Sequence, residues 1–536
     1  MPRIERASAI PAEVSLETAA WAPDLGDGTY RNPVLHADYS DPDAIRVGDD
    51  FYLVASSFHC TPGLPILHSR DLVNWTIVGH ALENLPHDYY DEVRQGHGVW
   101  APAIRHHAGQ FWIVFPLPDH GIYVTTAEDP RGPWSPPHEL LPGKGLIDPC
   151  ILWDDDGQTY LVHAYAKSRS GIRNKLHVRP ISADCRRVLG EGRVVIAIDE
   201  TLPALEGPKW LKRNGWYYLS APAGGVAMGW QTIFRSKHVF GPYEERVVLA
   251  QRGTSVNGPH QGAVVDTADG EWWFLHFQDM DLYGRVVHLQ PVRWENDWPL
   301  IGIDQDEAGV GKPAAVHRKP DIRGECPLAV PQTSDDFAGG RPGPQWQWNA
   351  NHRPEWHARS AAAEGLRLVA QFAPEGTLET APHLLMQKFP AREFVVETEL
   401  DLPLGRPHVH AGLVVLGGNY AALDLRRTGE ILRLRLLTTS ETRGECAIAH
   451  PGSIRLRLVV GQGGGCRFGF VANDGQFQQL GPEFFVRTGI WVGAKFGLYA
   501  TTAEPGETSG YADFSWVRVA PSTLPATADP AWAVTR

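Results

Sequence analysis

Short stretches of alternating hydrophobic and polar residues recur through the first 280 residues, without helical periodicity. Each copy reads as a strand, a polar turn that contains Gly or Asp, and a second strand rich in aromatic residues, which is the pattern of a β-hairpin. The copies begin at Asp41-Pro42-Asp43, Trp100-Ala101-Pro102, Asp148-Pro149, Glu206-Gly207-Pro208 and His260-Gln261-Gly262. The sequence therefore predicts one hairpin unit that is repeated five times.

The spacing of these copies indicates how the units are assembled. Successive copies lie 47 to 60 residues apart, and a period of this length is typical of a stacked supersecondary unit. An all-β unit of this size fits a four-stranded propeller blade, whose first strand lines a central channel. A five-bladed β-propeller would bring Asp41, Asp148, Glu206 and His260 together, and three carboxyl groups at one channel mouth predict a catalytic site.

A different pattern follows residue 334, where longer alternating strands replace the hairpin unit. Arg-Leu-Arg-Leu alternation places one face of a strand in a core and the other in solvent, and strands of this length and spacing predict a β-sandwich. The strands are expected at Phe394–Leu400, His410–Leu416, Ile431–Leu437, Ile454–Val460 and Ala512–Val519.

The fold class is therefore all-β, a five-bladed β-propeller followed by a β-sandwich. We expect an N-terminal extension at 1–26, the propeller at 27–310, a linker rich in Gly, Pro and charge at 311–333, the sandwich at 334–520 and a tail at 521–536. The sandwich is either a carbohydrate-binding module or a support for the propeller. Trp346, Trp348 and Trp356 cluster in one early segment that can pack on the propeller, which favours the second interpretation.

Composition limits the class of ligand. A chain of 536 residues is too long for a single core. Its net charge of −13 disfavours nucleic acid and anionic membranes as partners, since binding to phosphates depends on clustered Lys and Arg. Its 19 Trp suit stacking on sugar rings. A neutral or small polar ligand is expected, and the sequence leaves a homo-oligomer open.

The cellular location and the cysteines are read from simple patterns. Residues 1–21 are interrupted by charges and lack the apolar core of a signal peptide, so we expect a cytoplasmic protein, although a secreted mature form fits the same sequence. No stretch approaches the 18 apolar residues of a membrane span. The six cysteines lack CxxC spacing, which predicts buried free thiols.

The ordered motifs of the repeat resemble those of glycoside hydrolase family 43, and the sandwich resembles the accessory domain of the β-xylosidase branch of that family. The resemblance thus covers nearly the whole chain. A single Asp-Pro pair is weak evidence, whereas the complete series in order, one motif per blade, is specific. The series is Asn32-Pro33-Val34-Leu35 with Ser40-Asp41-Pro42-Asp43, Trp100-Ala101-Pro102, Ile147-Asp148-Pro149, Glu206-Gly207-Pro208 and Gly284-Arg285.

The resemblance implies a role for each carboxyl group. Asp41 would be the general base that activates water, Glu206 the general acid, and Asp148 the residue that orients the acid and maintains its proton affinity. It also implies inversion at the anomeric carbon. The chemistry agrees, because an inverting pair must leave room for water at a separation of about 6.5–9.5 Å, and a neighbouring negative charge raises the pKa of the acid.

Asp41 and Asp43 each have a simpler, structural interpretation. Asp-Pro commonly opens turns, and an isolated Asp41 would more often be a turn residue than a base. Its equivalent placement in the repeat changes this, since a carboxyl group buried in the channel without a function would be costly. Asp43 follows the proline of the motif and is interpreted as structural.

The remaining candidates would bind substrate. Phe58 and Trp100 are the expected aromatic walls for a sugar ring, and the alternative role for a Trp is packing within a blade. The resemblance implies that Arg285 contacts sugar hydroxyls and supports a carboxylate; otherwise it would form a surface ion pair. His260 would lie on the channel axis, bind substrate and hold a calcium ion through water, although a buried structural His is the usual alternative. The chemistry itself requires no cofactor.

The expected function is an exo-1,4-β-xylosidase that removes terminal β-D-xylosyl residues from xylo-oligosaccharides or arabinoxylo-oligosaccharides. The alternatives are an α-L-arabinofuranosidase or a bifunctional xylosidase and arabinofuranosidase, which the sequence does not separate. A fructan-cleaving propeller is disfavoured because Ser40, not Asn, precedes Asp41, and Gly207, not Cys, follows Glu206. A non-catalytic sugar-binding propeller is the remote alternative, and it would not need three carboxyl groups.

Overall fold

A computed structural model describes residues 20–198, 201–361, 365–373, 377–403, 408–429, 431–448, 452–502 and 510–522. The expected N-terminal extension up to residue 19 and the tail beyond residue 522 lie outside these ranges. The described residues are almost entirely β-strands and loops, as the hydrophobic pattern predicts. Short helical turns occur at Asp88–Asp91, Lys167–Ser170, Asp281–Tyr283, Ala338–Gly340 and Pro354–Trp356. Within the described ranges, no helix has the length and apolar character needed to cross a bilayer.

In the described part of the chain, five four-stranded antiparallel sheets form the blades of the predicted propeller, and each is built from consecutive strands. Strand β1 (Thr29–Arg31) precedes the first blade. Blade 1 contains β2 (Asp43–Val47), β3 (Asp50–Val54), β4 (Gly63–Ser69) and β5 (Trp75–Leu82); blade 2 contains β6 (Ala103–His107), β7 (Gln110–Leu117), β8 (Gly121–Ala127) and β9 (His138–Pro142).

The other three blades repeat this order. Blade 3 contains β10 (Leu146–Trp153), β11 (Thr159–Tyr165), β12 (Lys175–Ile181) and β13 (Arg193–Ala197); blade 4 contains β14 (Lys209–Arg213), β15 (Trp216–Ala223), β16 (Trp230–Ser236) and β17 (Glu244–Leu249); blade 5 contains β18 (His260–Asp266), β19 (Trp272–Asp279), β20 (Arg285–Glu295) and β21 (Trp298–Ile301).

Neighbouring blades are joined by shared hydrophobic clusters and by polar contacts near the channel. Blade 1 and blade 5 share a buried cluster that includes Trp75 and Trp273. Asp43, interpreted above as structural, is buried, and its carboxylate accepts hydrogen bonds from the Ile104 amide at 2.8 Å and from Arg105 at 2.7 Å. Asp43 therefore joins the inner strands of blades 1 and 2, and this placement agrees with a structural role.

The ring closes without exchanging a strand between the first and last blades. Arg46 of blade 1 forms an ion pair with Asp266 of blade 5 at 2.7 Å. Outside this seam, β1 pairs with β22 (Val316–Arg318), which belongs to the linker after blade 5. The Asn32 side chain donates to the carbonyls of Leu289 and Ala314, both at 2.8 Å. The start of the propeller and the linker thus hold the seam together.

The second domain is the predicted β-sandwich, with two sheets of eight strands each in the described residues. One sheet contains β23 (Gln347–Trp348), β26 (Gln371–Phe372), β27 (Leu385–Lys388), β29 (Val409–Leu416), β30 (Tyr420–Thr428), β31 (Ile431–Thr438), β32 (Thr442–Ile448) and β37 (Lys495–Thr502). The other contains β24 (His357–Arg359), β25 (Leu366–Val369), β28 (Phe394–Asp401), β33 (Ile454–Val460), β34 (Gly465–Val471), β35 (Phe477–Gln479), β36 (Phe484–Phe485) and β38 (Tyr511–Ala520).

The alternating segments form strands for the expected reason. Leu432, Leu434 and Leu436 of β31 are buried, while the arginines between them lie at the half-buried face. All five sandwich strands expected from the sequence are present. The other eleven sandwich strands of the described residues were not expected. Among them, β34 and β37 contain Gly or small residues, and β32 contains Gly and charged residues, which weakens the alternating pattern.

The early segment of the sandwich contacts the propeller, but not through its indole rings. The backbones of Thr61 and Trp348 exchange two hydrogen bonds, and the Gln347 side chain donates to the Pro62 carbonyl at 2.8 Å. The rings of Trp346, Trp348 and Trp356 belong to the core of the sandwich. The segment therefore joins the domains through polar groups whose partners lie on the propeller.

A chain that ends at Pro331 should lose most of its soluble yield, or melt at a lower temperature than the full chain. Removal of the sandwich exposes to water the propeller surface that it covers, including Tyr283, which is buried in the hydrophobic cluster of the sandwich, and it takes away the partners of the Thr61 backbone and the Pro62 carbonyl. Soluble expression and a thermal melt measure the effect. A truncated propeller that is soluble and melts at the temperature of the full chain would show that the sandwich is only an appended module.

Candidate active site

Three carboxyl groups stand at the same end of three inner strands. Asp41 lies two residues before β2, Asp148 lies at a bulge within β10, and Glu206 lies three residues before β14. Asp41 and Asp148 have φ angles of 53° and 54°, in the left-handed region that non-glycine residues seldom adopt. Such backbone strain costs on the order of 1–3 kcal/mol and is concentrated at functional sites. The propeller therefore brings together the three acids that the repeat predicts.

Asp41 is held by three donors. Its carboxylate accepts hydrogen bonds from the hydroxyls of Ser40 at 2.8 Å and Ser56 at 2.6 Å, and it forms an ion pair with Arg285 at 2.8 Å. Asp41 and Arg285 are both buried. These contacts suit a charged carboxylate of fixed orientation, and they leave little freedom for the group to rotate.

Asp148 is linked to Glu206 through the backbone. The amide of Gly207 donates to the Asp148 carboxylate at 2.7 Å, which fixes Asp148 beside the residue that precedes Gly207. Gly207 has a φ of +61°, and a Cβ at this position would lie 2.7 Å from the Gln261 side chain. Only glycine suits this conformation and this approach, which explains the Glu-Gly pair of the fourth motif.

The surroundings of Asp148 and Glu206 raise the pKa of both carboxyl groups. Burial raises the pKa of Asp148, and the Gly207 amide opposes part of this rise. Burial, followed by repulsion from Asp148, raises the pKa of Glu206 to about 8, although the nearby Arg285 opposes the rise. The Glu206 side chain remains 30% exposed, so it faces the open channel. A carboxyl group that keeps its proton near neutrality and can still meet a ligand is suited to act as a general acid.

His260 stands beside this acid at the start of β18. Its Nε2 lies 3.8 Å from the Glu206 carboxyl, beyond hydrogen-bonding distance. Burial, together with the positive charge of Arg285, lowers the pKa of His260 to about 3, so the ring is neutral at physiological pH. His260 therefore adds no positive charge beside Glu206, although the repeat places it in the same site.

Arg285 is a buried residue, so the alternative of a surface ion pair is wrong. Besides Asp41, its guanidinium donates to the Ser40 hydroxyl at 2.8 Å, and its backbone amide donates to Asp38 at 2.9 Å. The guanidinium carbon lies 4.9 Å from the centre of the Phe277 ring. Arg285 thus contacts Asp41 directly and supplies the positive charge beside the acids.

The two expected aromatic walls are neighbours. Phe58 and Val99 form a β-bridge, which brings Phe58 next to Trp100. Phe58 is almost fully buried, whereas Trp100 is half-buried and its indole donates to the Gly96 carbonyl at 3.0 Å. Trp100 therefore offers the larger accessible ring surface, while Phe58 lies behind the mouth of the channel.

The sequence did not predict a third aromatic residue, Trp491 of the sandwich. Its ring centre lies 6.5 Å from that of Trp100, and the Arg285 guanidinium carbon lies 5.7 Å from it. Trp491 has a φ of 63° and remains 48% exposed. The one available signal was an apolar run, Ile490-Trp491-Val492, set between two glycines where a turn would normally be polar. Both domains therefore contribute to the mouth.

The donors around His260 do not fit a calcium ion bound directly by protein. Within the described residues, no cluster of three or more His, Cys, Asp and Glu side chains could hold a metal ion. Both ring nitrogens of His260 are buried without a partner in the described residues, which suits water molecules in the channel. Calcium prefers oxygen ligands to imidazole. Calcium held through water stays a prediction, and the chemistry described below does not use it.

Comparisons with known proteins place the chain among glycosidases. Residues 30–299 match the sequence model described as glycosyl hydrolases family 43, and residues 334–520 match the β-xylosidase C-terminal concanavalin A-like domain. The chain is 38% identical to a putative β-xylosidase of Xylanibacter ruminicola, covering 92% of this chain and 90% of the relative. It is 31% identical to a β-xylosidase of Formosa agariphila, covering 96% and 94%.

The fold is also found in a solved structure. The crystal structure of a family 43 protein from Bacillus licheniformis is 26% identical and superposes with a TM-score of 0.78. The match covers 92% of this chain and all of the other. Propeller and sandwich therefore occur together in a known structure at full length.

Chelation tests the predicted calcium. If a water-coordinated ion stabilises the channel around His260, treatment with a chelator should lower the melting temperature, and calcium but not magnesium should restore it, since magnesium demands a tighter octahedral shell. A thermal melt with His260→Ala as the matched variant measures this, because the variant should no longer respond. An unchanged melting temperature after chelation would show that no such ion stabilises the channel.

Proposed function

The chain belongs to glycoside hydrolase family 43, and from this premise we propose that it is an inverting exo-1,4-β-xylosidase acting on xylo-oligosaccharides. The proposal is supported by the relatives named β-xylosidase, which are similar over nine tenths of the chain or more. The observation that carries it is the pairing of a hydrogen-bonded, arginine-paired Asp41 with a Glu206 that favours its protonated form.

Glycoside hydrolysis requires one carboxyl group that carries a proton and one that does not, and we assign the first role to Glu206 and the second to Asp41. In the proposed reaction, Glu206 donates its proton to the glycosidic oxygen as the bond between that oxygen and the anomeric carbon breaks. Asp41 accepts a proton from a water molecule whose oxygen attacks the anomeric carbon from the opposite face. One water is consumed, and the products are α-xylose and a chain that is one sugar shorter.

The neighbouring residues keep these roles distinct. Repulsion from Asp148 helps to raise the pKa of Glu206, so the acid keeps its proton until the leaving oxygen takes it. Arg285 and the two serine hydroxyls hold the Asp41 carboxylate in one orientation. Asp148 thus raises the proton affinity of Glu206, whereas Arg285 fixes the orientation of Asp41.

The shape of the mouth supports action at chain ends. Trp100 from the propeller and Trp491 from the sandwich converge on the side of Arg285. The two rings pack edge to face, with their centres 6.5 Å apart, so they form one aromatic surface at the opening on which a sugar ring can stack. A pocket narrowed by a second domain favours the terminal sugar of an oligosaccharide over the middle of a long polymer.

Hydrolysis of nitrophenyl β-xyloside and nitrophenyl α-arabinofuranoside, measured side by side, tests the substrate. We expect a higher kcat/KM for the β-xyloside. A clear preference for the arabinofuranoside would replace the proposal with its main alternative. Proton NMR of the first sugar released from a β-xyloside should show the α anomer; a β anomer appearing first would falsify the inverting assignment and make Asp41 a nucleophile.

Substitution of Glu206 and Asp41 should separate their roles by leaving group. Glu206→Gln cannot donate a proton, so kcat/KM for xylobiose should fall about 10²–10⁴-fold, the usual contribution of a general acid, and the loss should be milder for an acidic phenol. Asp41→Asn is the matched control: it should lose activity on both substrates, and azide should partly restore it. Equal losses for both leaving groups in Glu206→Gln would contradict its role as the acid.

Asp148→Asn should shift the pH profile. Removal of the negative charge lowers the pKa of Glu206, so the acid loses its proton at a lower pH. The basic limb of the kcat/KM profile should therefore move towards acid by about one unit, together with a fall in activity. Steady-state rates across the pH range measure the shift. A lower rate with an unmoved basic limb would mean that Asp148 acts through structure alone.

A further inference from the structure

A buried hydrogen bond between a lysine and a cysteine joins the two domains. The Lys495 ammonium, at the start of β37, donates to the sulfur of Cys60 at 2.8 Å. Cys60 is fully buried, and only 6% of the surface of Lys495 is exposed. A lysine buried at a domain interface needs a negatively charged partner, because an unpaired ammonium loses its hydration without compensation.

The neighbouring charges indicate the protonation state of that partner. A second ammonium, Lys388, interacts electrostatically with Lys495, Cys60 and Asp38. Burial lowers the pKa of Lys388 to about 8, which leaves it mostly charged at neutral pH. Asp38 is buried and accepts backbone N–H groups. Two ammonium groups facing one carboxylate leave an excess positive charge, and a thiolate at Cys60 removes it.

Cys60 differs in this respect from the other five cysteines. Burial by itself would raise the pKa of the Cys60 thiol, but the Lys495 charge, assisted by His59, holds it at about 5. For the other five, burial raises the pKa above the ordinary value. They are Cys150, Cys185, Cys326, Cys446 and Cys466. A thiolate at neutral pH is therefore expected at one cysteine, and it can be observed against a background of protonated thiols.

The pair lies between two parts of the pocket. Cys60 follows Phe58 by two residues, and Lys495 follows Trp491 by four. The segment between Trp491 and Lys495 is bound to the propeller at two places: the Gly493 amide donates to Asp38, which precedes blade 1, at 2.9 Å, and the Ala494 amide donates to the Leu282 carbonyl of blade 5 at 2.7 Å. Residues 489–494, here called the Trp491 loop, are thus fixed to the propeller at one end.

We propose that Cys60 and Lys495 form a thiolate–ammonium pair that docks the Trp491 loop on the propeller and positions Trp491 at the pocket mouth. Neither residue touches the reacting atoms, so both are positioning residues. The pair itself is independent of the reaction; only its effect on substrate affinity rests on the proposed function.

Ultraviolet absorbance of the thiolate tests the pair without any substrate. Acidification of the folded protein through the Cys60 pKa near 5 should remove the absorbance of one thiolate. Cys60→Ser should abolish this change, whereas Cys446→Ser, a control at a half-buried thiol, should retain it. Lys495→Met should abolish it, and Lys495→Arg, which keeps the charge, should preserve it. A full signal in Cys60→Ser, or none in the wild type, would overturn the proposal.

A double-variant cycle tests whether the two charges depend on each other. Cys60→Ser leaves Lys495 without its counter-charge, and Lys495→Met leaves the thiol without its cation, so each should lower the melting temperature. The double variant Cys60→Ser/Lys495→Met retains Lys388 with Asp38, a balanced pair, and should lose less than the sum of the single losses. Additive losses would show that no such pair exists. If a single variant fails to fold, the acid titration of the wild type and of Lys495→Arg still tests whether the thiolate exists.

Kinetics connect the pair to the pocket. Trp491→Ala should raise KM for xylobiose several-fold while changing kcat less, and Lys495→Met should reproduce this split; Lys495→Arg should restore the KM. A Lys495→Met variant that keeps the wild-type KM while Trp491→Ala changes it would contradict the positioning role. If the protein hydrolyses no xyloside, the absorbance and melting experiments still test the pair, so that the two proposals can fail separately.

Discussion

The buried ion pair between Arg285 and Asp41 is the interaction on which the rest of the site depends. Two charges removed from water are tolerated only when further hydrogen bonds surround them, and breaking such a pair from one side costs about 3–5 kcal/mol. Here the further bonds come from Ser40 and Ser56 of the first blade. The Arg285 backbone in turn binds Asp38, which also receives the Gly493 amide of the sandwich. Through its guanidinium and its backbone amide, Arg285 thus connects Asp41, the closure of the ring and the docking of the second domain.

The repeat explains how such a site is assembled from distant parts of the chain. Equivalent positions of the five blades converge on the channel. A different residue at that position in each blade is therefore enough to place different chemical groups side by side. The blades use this freedom unequally. Asp41 and Asp148 adopt strained backbone angles, Glu206 is followed by a glycine that approaches Gln261 closely, and His260 contributes a neutral ring. The scaffold is uniform, whereas the chemistry differs from blade to blade.

Local pattern was sufficient for the blades, the five expected sandwich strands and the convergence of the acids, because period-2 alternation and turn residues act within one hairpin. It was insufficient wherever the answer depends on how the domains meet. Trp491 reaches the mouth only because the sandwich docks at one particular angle, and Cys60 finds Lys495 for the same reason. The Trp346, Trp348 and Trp356 rings turn into their own core, while the backbone beside them makes the contact. The spacing of residues in the sequence does not show whether a ring or the backbone makes the contact between the domains.

The pairing of β1 with β22 has a consequence for how the chain is made. β1 ends at Arg31 and β22 begins at Val316, so the strand that secures the start of the propeller is synthesised after all five blades. At translation rates of about 5–20 residues per second, this delay is roughly 15 to 60 s. During that interval the nascent ring has an open seam, and β1 has an unpaired edge of the kind that favours pairing with a wrong strand. The short strand β1 therefore has to wait for its partner until the linker after blade 5 has been made.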